Sequence, residues 1–367
     1  MTVFRVLGDH LISENEFAAK APAIVRHVEN AKAGGQPGPE IMLESGDPFA
    51  FKAPAVGGAE SGFTPIKYGS PLLVDIRYAY SGNVGENSSI LHGTGDIAVI
   101  SGVKNWSAFK ASARGLNWVA PKRGKRQLLA KPGALSDGCT LIAYQKAIAT
   151  KQVQIGVELA SASSGDPLTK VLGGAFTAAA GIPLFMPYAG ALLAAGQIIP
   201  AVGKLLQAIT EKRVQWQANE DLNFGIAGMN DADAGFRVIA HADPELERLR
   251  FDPAHGLVDA DGHPYLGDQP YVVVAVDGAS QTELENFTPM VASAEMLQRF
   301  KLSETGQSSG IDDLLDLMTI ISDVKFRNEA LGVKQKITAD LSADEKKKLQ
   351  DRYDALVKNI IKSELKP

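Results

Sequence analysis

Apolar residues occupy every second position at Val153, Ile155, Val157 and Leu159, the period of a strand with one buried face. The same alternation resumes at Val214 and Trp216. Between the two stretches, Val171 to Gly203 runs for 33 residues without Asp, Glu, Lys, Arg or His. This pattern predicts one sheet interrupted by an apolar insert. Further strands are expected at Val3, Phe4 and Val6, at LLVDIRYAY, DIAVISG and LNWVA, at Phe236 to Ile239, and near Leu246 to Phe251. Most are bounded by clusters of Gly, Asn, Ser or Pro. YVVVAV, from Tyr271 to Val276, has the unbroken apolar character of a strand covered on both faces.

Helical period takes over at both ends. Ser13 to Glu16 forms a capping-box pattern that opens a helix, after which residues 33 to 70 are rich in Gly and Pro and read as loop or irregular structure. Beyond Thr282, Met290 to Phe300 reads as helix, and Ile311, Leu314, Leu315, Met318, Ile321 and Val324 follow helix spacing. Ser342 and Glu345 cap a last helix, along which Leu349, Tyr353, Leu356 and Ile360 form a stripe. Such a stripe serves core packing, or else a seam for self-association into a homo-oligomer. The fold class expected is α+β: an antiparallel β-sandwich-like body with an inserted apolar helical hairpin and a C-terminal helical segment. The divisions fall at 1–70, 71–165, 166–212, 213–281 and 282–367.

Within the uncharged run, Pro183, Pro187 and Pro200 interrupt any single helix, so a hairpin is expected. Its first arm runs from about Leu168 to Ile182, with Asp166 as N-cap and Pro167 at the first helical position. A turn at Pro183 to Pro187 leads to a second arm, Tyr188 to Ile209. A bilayer crossing takes ~20 helical residues, so the second arm is long enough and the first is short, and a shallow or re-entrant hairpin suits both. Gly174, Ala178 and Ile182 share one face, and Ala191, Ala195 and Ile199 another. With Gly181, Gly190 and Gly196, these small residues permit close helix approach, in lipid or in a soluble core. The composition is similar to that of hairpins in membrane-inserting toxins.

Charge narrows the range of partners. A net charge of −5 gives no electrostatic footing for nucleic acid. One cysteine, Cys139, forms no internal disulfide and fits synthesis in a reducing compartment. MTVFRVLGDHLISENE lacks the features of a secretory signal. A cytoplasmic product is expected, with later membrane association or non-classical export left open. One local patch departs from the overall balance: Lys122, Arg123, Lys125, Arg126 and Lys131 lie within ten residues, downstream of Trp106, Phe109 and Trp118. It is either a solvated loop or hairpin, or an electrostatic contact with anionic lipid, where each cation contributes about 1 kcal/mol, or with nucleic acid phosphate.

The densest group of ligand-type side chains is Asp252, His255, Asp259, Asp261, His263 and Asp268. Carboxylates and imidazoles so close in sequence can hold a divalent cation. The spacing matches neither an EF-hand nor HExxH, and Asp-Ala-Asp-Gly is also turn chemistry. The following GDQPYVVV resembles the Asp-Pro-Tyr-Val strand of C2 membrane-binding domains, with one residue inserted between Asp268 and Pro270. That resemblance implies a cation site only if the Asp259 and Asp268 loops meet another acidic loop. Gly306 to Gly310 matches GxSxG but lacks the preceding buried strand. Gly93 to Ala98 matches GxGxxA but precedes a strand instead of joining one to a helix. No catalytic residue and no cofactor beyond a divalent cation is implied.

The leading functional reading is a membrane-acting effector or pore-forming type of protein that stores a lipid-compatible hairpin. The alternatives are a non-enzymatic binding, scaffold or self-assembling protein whose hairpin is core, and a metal-assisted enzyme using the Asp252 to Asp268 group.

Overall fold

The computed structural model describes residues 2–32, 41–46, 48–49, 62–85, 95–105, 113–132, 139–162, 214–226, 231–284, 309–338 and 341–367. The fold is α+β. Twelve described strands form two antiparallel sheets: β1 Thr2–Leu7, β2 His10–Ser13, β3 Leu72–Tyr80, β4 Gly95–Asn105, β5 Ala113–Arg123, β6 Leu141–Gln145, β7 Gln152–Ala162, β8 Val214–Asn223, β9 Gly235–Ala240, β10 Arg250–Asp252, β11 Gly256–Val258 and β12 Tyr271–Asp277. The larger sheet has the order β11-β10-β2-β1-β9-β12-β3-β6 and the smaller β5-β4-β7-β8. Helix α1 spans Glu14–Lys32, and a C-terminal pair comprises α2 Ser309–Gln335 and α3 Ala343–Asn359.

The two sheets share one apolar core. Val153, Ile155, Val157 and Leu159 of β7 join Ile97, Val99, Trp118, Trp216 and Leu222 of the smaller sheet, and meet Leu72, Val74, Ile76, Ile239, Val272, Val274 and Val276 of the larger. The opposite face of the larger sheet packs Phe4, Val6, Tyr80, Val238, Tyr271 and Val273 against Leu246, Phe251 and Leu257. β12 therefore alternates between two interiors, which is why it has no polar face. In β3 the pairing with β12 shifts between Val273 and Val274, so that Tyr78 and Ile76 face consecutive partners and Arg77 is the extra residue. A one-residue bulge reverses side-chain parity: Leu72, Val74 and Ile76 face the inter-sheet core, and Tyr78 and Tyr80 the other interior.

The larger sheet curls. β11 and β12 are five positions apart in its order, about 24 Å in a flat sheet at ~4.8 Å per strand, yet the Leu257 N–H donates to the Tyr271 hydroxyl at 3.1 Å. The Tyr78 hydroxyl likewise donates to the Pro253 carbonyl. This half-barrel interior is aromatic, with Tyr80 and Tyr271 stacked at 5.0 Å and Phe236 against Phe251 at 4.8 Å.

α1 lies against the β1–β2 hairpin. Phe17, Ala21, Ile24 and Val28 recur at spacings of four, three and four and pack on Ile12, Leu43 and Phe49. Ser13 caps its start, its Oγ accepting the Glu16 N–H at 3.1 Å. The Glu16 carboxylate accepts from the Glu44 N–H at 2.6 Å and from Lys20 Nζ at 2.9 Å, which ties residues 41–49 to the helix. Within the stretch expected to be loop or irregular, the described residues of 41–49 form no named strand or helix, yet Ile41, Leu43 and Phe49 join this core. At the other end α2 and α3 pack on each other and on Ala147 and Ala149 through Ala330, Val333, Ala355 and Leu356. The expected helix at Met290 to Phe300 lies outside the described residues.

Candidate functional site

The uncharged run lies outside the described residues, as do Gly174, Ala178, Gly181, Pro183, Pro187, Gly190, Ala191, Ala195, Gly196 and Pro200. Its point of attachment is described. β7 and β8 are adjacent and antiparallel, with Leu159 opposite Trp216 and Ala160 opposite Val214. Residues 163–213 thus leave and rejoin the smaller sheet at neighbouring strand ends. β8 continues the alternation well past Gln217: Trp216, Ala218, Glu220 and Leu222 are all buried, as is Phe224 just beyond the strand. No helix of the described residues is long and apolar enough to cross a membrane.

The basic segment docks on two other loops. The Arg126 N–H donates to the Gly82 carbonyl at 2.7 Å, the Ser81 N–H to the Gln127 carbonyl at 2.9 Å, and the Asn83 N–H to the Asp268 carbonyl at 2.8 Å. A Cβ on Gly82, whose φ is +50°, would stand 2.4 Å from the Pro270 nitrogen, so only glycine lets these backbones approach. Arg126 donates through Nε to Asp268 at 2.8 Å, and that bond holds the Asp268 carboxyl below the usual carboxylate range. Lys131 lies 5.4 Å over the Tyr78 ring, Arg123 is half-buried and Lys125 partly exposed, while the Lys122 side chain falls outside the described set. Leu266 projects from the same loop cluster, 68% exposed. Trp118 is buried in the inter-sheet core, so it offers nothing to an interface, and Trp106 and Phe109 lie outside the described residues.

The six Asp and His residues separate into three local arrangements. Asp252 Oδ1 accepts from the Ala254 and His255 N–H groups at 2.7 and 2.8 Å and sits 2.9 Å from His255 Nδ1. Asp268 is taken by Arg126. Among the described residues, a group of three with all ligand atoms within 4.8 Å of one another is formed by Asp259, Asp261 and His263, and Asp259 Oδ1 already accepts the Asp261 and His263 N–H groups, both at 2.9 Å. Those bonds, the one from His263 first, lower the Asp259 carboxyl below its ordinary range. The trio suits an oxygen-preferring cation on an exposed turn and has the geometry of a tight turn in its own right. The C2-like condition is not met, because Asp268 faces a basic loop. Burial pushes the Cys139 thiol up, away from a reactive thiolate.

One constellation escapes sequence inspection. Arg5 of β1 and Arg237 of β9 stand directly opposite in register, a destabilising juxtaposition unless neutralised. Both are buried. Glu14, the first residue of α1, receives Arg5 Nε at 2.8 Å and Arg5 Nη2 at 3.1 Å, and Arg237 Nη1 at 3.2 Å. Asp233 Oδ1 receives Arg5 Nη1 at 2.8 Å and Arg237 Nη2 at 2.7 Å. From the smaller sheet, Glu220 Oε1 lies 2.7 Å from Arg237 Nη1, yet neither Glu220 oxygen accepts an aligned hydrogen bond. Burial raises the Glu220 carboxyl above its ordinary value, against the opposing pull of Arg237. A charged residue on the inward phase of an alternating strand was the available signal. Its partners are scattered from residue 5 to residue 237, beyond the reach of local patterns.

The C-terminal stripe is used within the chain: Leu356 and Ile360 are fully buried, and Leu349 and Tyr353 pack against the α2–α3 core. Asp323 of α2 fixes the segment after α3 by accepting the Ile361 and Lys362 N–H groups at 3.0 and 2.7 Å.

Comparison with known proteins finds no matching family model, no similar curated protein and no similar solved structure.

Proposed function

We propose that the protein acts on membranes, as an effector or pore-forming type of molecule whose β-rich body carries the uncharged segment as a lipid-compatible hairpin inserted into a sandwich-like fold. The observation that carries this reading is the pairing of Ala160 with Val214: a 33-residue run without Asp, Glu, Lys, Arg or His lies in the segment that joins two neighbouring strand ends. A segment attached in this way can change its surroundings without breaking the β4–β7–β8 ladder. Cations of the basic loop supply attraction to an anionic surface. Self-association of copies through C-terminal helical surface belongs to the same reading.

The test is release of an encapsulated dye from anionic and from neutral vesicles by the full chain, across pH and lipid composition. The reading expects release, greater from anionic vesicles. Failure to release dye or bind vesicles under every condition would leave a binding or scaffold protein with a buried hairpin.

A further inference from the structure

We propose that Glu220 is a built-in proton-binding site, and that uptake of one proton there fastens β8 of the smaller sheet to β1 and β9 of the larger. The inference rests on the charge count of an enclosed cluster and is independent of membrane action.

Two guanidiniums, Arg5 and Arg237, face three carboxylates, Glu14, Asp233 and Glu220. With all five ionised the cluster carries one surplus negative charge. Among the described residues, β1 gives Arg5, β9 gives Arg237, the segment before β9 gives Asp233, and α1 gives Glu14. Beside Glu220 in the sheet, β7 places Ile155 in register, and β12 places Val274 beside Arg237; both are fully buried and apolar. A surplus charge in such surroundings is costly. Glu14 and Asp233 have side chains 38% and 48% exposed and hydrogen-bond to the arginines, whereas the Glu220 side chain is 3% exposed and accepts no aligned hydrogen bond. The proton that balances the cluster therefore belongs on Glu220.

The direction of linkage follows. The carboxyl titrates above the ordinary glutamate value of 4.5 in the folded chain, so its contribution to stability is fully present below that value and is lost as pH rises through the folded one. Mild acid tightens this junction. An acid trigger for any rearrangement of β8 would have to act elsewhere.

Thermal denaturation of the full chain from about pH 8 to about pH 5 tests the proposal on wild type, Glu220→Gln and Asp233→Asn. Burial also raises Asp75 and Asp323, so the difference between proteins decides, and not the wild-type slope. The melting temperature of wild type should gain a few degrees on acidification relative to Glu220→Gln, which should match or exceed wild type at the alkaline end. Asp233→Asn leaves two guanidiniums against two carboxylates, and should shift the acid-linked gain to lower pH. Carbon NMR of labelled glutamate carboxyls in wild type provides a second reading should Glu220→Gln fail to fold: one glutamate titrates above the ordinary range, and Asp233→Asn moves it down. Identical pH slopes for wild type and Glu220→Gln, or no glutamate titrating above that range, would overturn the proposal.

Discussion

Ala160 and Val214 are the last register partners of β7 and β8 before the chain departs at residue 163 and after it returns. Their pairing makes the intervening segment an excursion from one sheet, so a change within it and a change in the ladder should have separable effects.

Ala195→Asp places a charge within the uncharged run. A carboxylate at the middle of a spanning helix costs about 2.5–3.5 kcal/mol on insertion scales, which should abolish dye release while the soluble fold survives. Unchanged release would remove the segment from the membrane reading, and loss of soluble protein would favour a buried hairpin.

The basic loop divides into engaged and available cations. Arg126 is paired with Asp268 and Arg123 is half-buried, so Lys125→Ser is the cleaner variant. Binding to anionic vesicles should fall, and wild-type binding should weaken with salt because screening acts over ~8 Å at physiological ionic strength. The melting temperature should hardly change, since exposed charges contribute little to folding. Equal vesicle binding by variant and wild type would reduce this segment to a solvated loop.

Gly82→Ala should destabilise the three-loop cluster. The left-handed backbone alone costs about 1–2 kcal/mol for a residue with a Cβ, and the added carbon meets backbone atoms of Asp268, Gln269 and Pro270 at 2.4 to 2.6 Å. A lower urea midpoint, with faster amide exchange at Asn83 and Arg126, is the expected result; a wild-type midpoint would refute the close packing described.

Leu356→Ala should cost about 2–5 kcal/mol, the range for a large buried aliphatic truncated to Ala. Because Leu356 is buried within one chain, its denaturation midpoint should fall by the same amount at every protein concentration. A loss that disappears at high concentration would instead place this residue in a seam between copies.

Period and punctuation in the chain were enough to locate β1, β3, β7, β9 and β12 and the capped helices. Strand alternation and Ser caps arise from neighbours a few residues apart, so they are written locally. The same rules gave only part of β8 and overlooked β2, β6 and β11, strands of three to five residues too short to show a period. What tertiary structure alone decided is where side chains from distant segments meet. Arg77 reads as one more polar position in β3, but only pairing with β12 makes it the bulged residue that turns Tyr78 and Tyr80 into the second interior. Asp268 reads as a ligand candidate until Arg126, 142 residues away, takes its carboxylate. Arg5, Glu14, Glu220, Asp233 and Arg237 carry no shared motif, because opposite charges need proximity in space and any chain path that supplies it will serve.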